Sequence, residues 1–184
     1  MTPEDDRTAL YRSDDKTSGR LSEPGTDRST RGSARTVVHP PPGLALDLVE
    51  ALAREWDKDL IGVVLFGSAA RGEATAASDI DILIVLEAGV SITRALYDRW
   101  DGMIRGRGNR SDERVSPQFV VLPSDPSQVG SLWLEVAREG IVVLDPRGRV
   151  ARFLVALRDY ILGGAVTRRV THGHPYWIRV GDRR

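Results

Sequence analysis

The stretch Leu65-Phe66-Gly67-Ser68-Ala69-Ala70-Arg71-Gly72, followed by Ser78-Asp79-Ile80-Asp81-Ile82, decides how this chain is read. A Gly-Ser turn closes one apolar run, and two aspartates one residue apart open a second. Both runs are continuous rather than alternating, as expected of strands buried on both faces. Successive strand residues point to opposite faces, so Asp79 and Asp81 are expected on one face, about 7 Å apart. Carboxylates that close repel each other unless a cation lies between them. Few protein ligands, all oxygen, suit Mg²⁺, which keeps waters and takes phosphate oxygens as further ligands. Gly67 lets the backbone approach a phosphate, and the Ser68 hydroxyl and the N–H groups after it can bond phosphate oxygens. Arg71, one turn further on, can neutralise the outer phosphates. The expected site therefore holds a nucleoside triphosphate on Gly67, Ser68 and Arg71, with its magnesium on Asp79 and Asp81.

Working outward, residues 44–56 show helical spacing, with Leu44, Leu48, Leu52 and Trp56 on one stripe. The runs 60–66 and 80–86 are the two buried strands, with a turn at Gly67-Ser68 and a short helix over 69–73 between them. Ile92, Leu96, Trp100 and Ile104 mark a second amphipathic helix, and 106–111 reads as a polar loop. A third strand is expected over 118–122, introduced by Pro117. A helix over 132–139 ends at Gly140, a short strand covers 141–144, and a last helix from Val150 to Ile161 stops at Gly163-Gly164. The tail from Ala165 is expected to be extended and folded back on the domain. Strands and helices interleave, which gives an α/β (α+β) domain with helices covering a small mixed β-sheet. Residues 1–43 are rich in Ser, Thr, Asp, Arg, Gly and Pro; they are expected to be a disordered arm ahead of a domain over 44–184.

The composition narrows the function classes. With 26 cationic and 26 anionic side chains there is no general attraction to nucleic acid or to a membrane. No cysteine is present, which removes disulfide frameworks, thiolate zinc sites and cysteine nucleophiles. No apolar run approaches the roughly 20 residues of a membrane span, and the acidic N-terminus is unlike a secretory signal; the expected location is cytoplasmic. His172 and His174 have no third ligand nearby in sequence and read as a surface turn. The four tryptophans fall within apolar patterns and read as core, and the charged run 105–114 reads as a solvated loop.

Gly67-Ser68, then ten residues, then Asp79-Ile80-Asp81 resembles the signature of the polymerase β-like nucleotidyltransferase superfamily. More narrowly, it resembles the minimal nucleotidyltransferases that are paired with HEPN proteins in toxin–antitoxin systems. Ser116-Pro117 and Glu139-Gly140-Ile141 echo the same family. The resemblance implies the nucleotidyltransferase fold, with Gly67 and Ser68 on the triphosphate and Asp79 and Asp81 on Mg²⁺. It also implies transfer of a nucleoside monophosphate, AMP from ATP, to a hydroxyl acceptor, with a HEPN-type toxin as partner. The chain is short for a templated polymerase. Many family members carry a third carboxylate on the next strand; here that strand offers Gln118, Phe119 and Val120, with Asp112 and Glu113 just upstream. Two alternatives stay open: a nucleotidyltransferase-fold protein that acts by binding its partner, and a transferase that modifies a small molecule such as an antibiotic.

Overall fold

The computed structural model describes residues 44–172 and 174–181. The expected disordered arm, 1–43, lies outside the described residues. Helix α1 (Leu46–Trp56) leads into strand β1 (Leu60–Phe66), and a single helical turn, α2 (Gly67–Ala70), follows directly. Strand β2 (Ile80–Leu86), helix α3 (Arg94–Arg107) and strand β3 (Val115–Val121) come next. Helix α4 (Ser131–Glu139), strand β4 (Ile141–Leu144) and helix α5 (Arg149–Leu162) complete the layered part. A hairpin of β5 (Val166–Thr171) and β6 (His174–Arg179) closes the described chain.

The main sheet runs β3-β2-β1-β4, with β2 and β3 parallel and the other pairs antiparallel. It is mixed, as expected, and each face is covered by a helical layer. On one face Leu48, Leu52 and Trp56 of α1 and Trp100 and Ile104 of α3 pack on Val63, Leu65, Ile82, Ile84 and Phe119. On the other, Trp133, Leu134 and Val136 of α4 and Leu154 and Leu157 of α5 pack on Val64, Leu83 and Val85. Burial on both faces explains why β1 and β2 read as unbroken apolar runs. Fully burying each large side chain contributes about 1.5–3 kcal/mol, so this double layer dominates the favourable side of folding.

Two local features adjust the simple alternation. Register shifts between Leu60 and Gly62, so Ile61 and Val64 face the same layer although they are three residues apart. A Cβ at Gly62 would lie 2.5 Å from the Leu144 carbonyl and 2.9 Å from Val150 Cγ2, so only glycine lets β4 and α5 pack this closely.

The third strand begins three residues earlier than the expected 118–122, because Pro117 lies inside it rather than ahead of it. A proline is tolerated there because β3 is an edge strand, where its missing N–H can face away from the ladder. Helix α3 runs past the expected loop boundary to Arg107 and closes on Gly108, whose φ of 63° is the left-handed cap that glycine adopts readily. The tail is two-stranded rather than a single extended segment. It is tied to α4 by Glu135, which accepts from Arg168 Nε at 2.9 Å and Trp177 Nε1 at 2.8 Å.

Candidate active site

Gly67, Ser68 and the two aspartates meet at one end of the sheet. Phe66, the last residue of β1, is directly opposite Asp81 on β2, so their side chains share a face. The chain then turns at Gly67 with φ of 72°. A Cβ on Gly67 would lie 2.4 Å from Asp81 Oδ2, well inside contact distance. Glycine is thus required twice, by its backbone conformation and by the carboxylate packed against it. Helix α2 starts at Gly67 itself, two residues before the expected start, and no side chain caps it. The leading N–H groups of that turn therefore have no acceptor within the helix.

Asp79 is exposed and precedes β2 by one residue; Asp81 is half-buried within the strand. Burial raises the Asp81 carboxyl above its usual value, the negative charge of Asp79 raises it further, and Arg71 pulls it back only in part. A half-buried carboxylate beside a second negative charge forms a donor set that gains from a cation between them. Among the described residues no group of three or more His, Cys, Asp or Glu side chains converges as a metal site. A cation held here would take two protein carboxylates and find its remaining ligands in water and phosphate oxygen, as Mg²⁺ does. The residues present fit that ion.

Arg71 is brought to the same place but is already engaged. Its Nε donates to Glu73 Oε2 at 2.7 Å and its Nη1 to Glu139 Oε1 at 2.6 Å. The hydrogen bonds from Arg71 to Glu73 and Glu139 hold the guanidinium more strongly protonated than usual. Glu139, at the end of α4, spends its second oxygen on Arg138 Nη2 at 2.6 Å. The two Arg71 bonds use two of the five guanidinium N–H donors, so Arg71 can keep both carboxylates and still offer Nη2 to a phosphate oxygen. Sequence reasoning did not find Glu139 as its partner, because 68 residues separate the two and no local pattern links them. Beside this ion-pair chain lies a cleft of about 640 Å³, lined on its apolar side by Phe66, Leu132, Pro175 and Trp177.

The upstream acids do not join the site. Asp112 is 1% exposed and accepts from Arg107 Nε at 2.7 Å, with Arg107 also bound to Asp47 of α1. Asp112 and Glu113 line a separate cleft against α3, with Val115 and Pro117, on the sheet face away from Asp81. On the face that Asp81 shares, the β3 residue opposite it is Ser116, and Gln118 lies opposite Leu83. Neither can act as a carboxylate.

Among solved structures, a toxin–antitoxin complex with AMP-PNP is similar at 20% identity and a TM-score of 0.47, covering 65% of this chain and 89% of that one. A tri-AMPylated Shewanella oneidensis HEPN toxin in complex with MNT antitoxin is similar at 18% identity and a TM-score of 0.41, covering 64% and 83%. No curated protein sequence matches this chain. The family model described as a nucleotidyltransferase domain matches residues 47–123, the stretch that holds Gly67, Ser68, Arg71, Asp79 and Asp81. Over those residues the chain matches the nucleotidyltransferase domain family, a family of transferases by class.

Proposed function

We propose that this chain transfers AMP from ATP to a hydroxyl on a HEPN-type partner protein and so acts as the antitoxin of a pair. The observation that carries the site assignment is the contact between Gly67 and Asp81, where one missing Cβ joins the phosphate turn to the metal carboxylate. In this reading the Gly67-Ser68 turn binds the β- and γ-phosphates through backbone N–H groups and the Ser68 hydroxyl. Arg71 donates from Nη2 to a phosphate oxygen and balances the charge of the leaving pyrophosphate. Asp79 and Asp81 hold Mg²⁺, which when bound neutralises phosphate charge and favours displacement at phosphorus. The acceptor oxygen forms its bond to the α-phosphorus as the bond to the β-phosphate bridge breaks. In-line geometry puts the acceptor opposite the pyrophosphate, and the β3 residues on the face of Asp81 are Ser116 and Gln118. Neither of these is a base, so the hydroxyl proton leaves to solvent or to a group that the partner brings.

The HEPN partner follows from the sequence resemblance. A cytoplasmic setting fits a cysteine-free sequence. Among the described residues no helix is long and apolar enough to cross a membrane. The test is incubation with labelled ATP, Mg²⁺ and the co-purified partner. Label should pass to the partner with wild-type protein and not with Asp79→Asn/Asp81→Asn; equal transfer by the variant would sink the proposal. The absence of an acid at Ser116 and Gln118 favours a second reading, in which the chain neutralises its partner by binding alone. Suppression of a toxic partner in cells by the double Asn variant would select that reading.

A further inference from the structure

We infer that Arg114 is the residue that positions Asp79 for cation binding. This rests on the metal reading above and deepens it. The segment between α2 and β2 is exposed at residues 71–77, yet it must deliver Asp79 beside Asp81, a carboxylate of the same charge. Asp79 lies outside the strand, so the β-ladder does not fix it. A small turn closes on itself just before it. Ser78 N donates to the Thr75 carbonyl at 3.1 Å, Thr75 N donates to Ser78 Oγ at 2.9 Å, and the two hydroxyl oxygens are 3.0 Å apart. Ala77 N adds a bond to Thr75 Oγ1 at 3.3 Å. These bonds shape the turn but do not attach it to the sheet.

Arg114 supplies the attachment. It ends the short 3-10 turn Asp112–Arg114, one residue before Val115, which pairs with Ile80. Its Nη2 donates to the Thr75 carbonyl at 3.3 Å and to the Ser78 carbonyl. The Ser78 carbonyl belongs to the peptide unit that leads into Asp79, so fixing it fixes the backbone from which that carboxylate projects. The 3-10 turn is itself immobilised, because Asp112 is buried against Arg107. The path from a buried ion pair to an exposed metal carboxylate therefore runs through one guanidinium. Groups that orient metal ligands in this way typically matter roughly 10–100-fold in metal affinity.

The test uses the full chain, Mn²⁺ as the probe ion, and two readouts. Hydrogen exchange at residues 75–80 reports the loop without any metal, and calorimetric Mn²⁺ titration reports the site. Arg114→Ala should exchange faster over that loop, keep its melting temperature within a few degrees, and bind Mn²⁺ about tenfold or more weakly. Arg114→Lys, which keeps the charge and can reach one carbonyl, should fall between, and it serves if the alanine variant does not fold. Unchanged exchange, or Mn²⁺ affinity equal to or tighter than wild type in the folded variants, overturns the inference. Wild type that binds no Mn²⁺, with a loop still loosened in Arg114→Ala, overturns the metal reading instead, so the two failures are distinguishable.

Discussion

Asp81 bears the conflict on which the site depends. Burial and the charge of Asp79 both work against its ionised form, so its folded-state pKa stands above the unfolded value of 3.8. At neutral pH the folded protein carries a destabilising charge there, and below the unfolded value the penalty is gone. Asp81→Asn should accordingly raise the melting temperature of the metal-free protein at pH 7. The gain should fade as pH falls through the raised pKa towards 3.8, and Mg²⁺ should stabilise wild type but not the variant. Melting curves across pH, with and without Mg²⁺, check this; a variant less stable than wild type at pH 7 would contradict it. A loss of stability held in place for function is a common pattern at active sites. Gly67 belongs to the same conflict, since its lack of a side chain lets the carboxylate sit against the turn.

At the scale of elements, β1 and β2 were legible to the residue, because burial on both faces leaves an unbroken apolar run bounded by polar residues. Gly67, Ser68, Asp79 and Asp81 stand out in the sequence for a related reason: the chemistry proposed for them needs those residue types within fifteen positions of each other. The start of β3 was not, because Pro117 reads as punctuation and only its edge location makes it compatible with a strand. Arg71's engagement with Glu139, and Arg114's grip on the loop before Asp79, depend on contacts 36 to 68 residues apart that no local period encodes. The charged run 105–114, which reads as solvated, contains a buried anchor. Asp112→Ala should therefore destabilise the fold by about 2–3 kcal/mol, less than the roughly 3–5 kcal/mol of breaking a fully buried pair, because Arg107 keeps Asp47. Denaturant melts measure the loss. Mn²⁺ affinity of the folded variant separates this role from metal ligation: an Asp112→Ala protein of wild-type stability but without metal binding would contradict the assignment.

At the scale of the whole molecule, two helical layers clamp a four-stranded sheet, and the end of β1 and β2 that holds Gly67 and Asp81 is the proposed place of the chemistry. The helix α4 and the hairpin β5–β6 wall a cleft that begins at Phe66 and Arg71, so the covering layer also shapes the approach to the site. The proposed partner and acceptor chemistry both depend on the Gly67 turn and the Asp79/Asp81 pair forming one composite site for a triphosphate and its cation. Calorimetric titration of ATP into the full chain, with and without Mg²⁺, tests it most directly. Wild type should bind ATP in a Mg²⁺-dependent manner, and both Asp79→Asn/Asp81→Asn and Gly67→Ala should lose that binding while remaining folded. Binding that is equal with and without Mg²⁺, or that persists in the double Asn variant, would contradict the account.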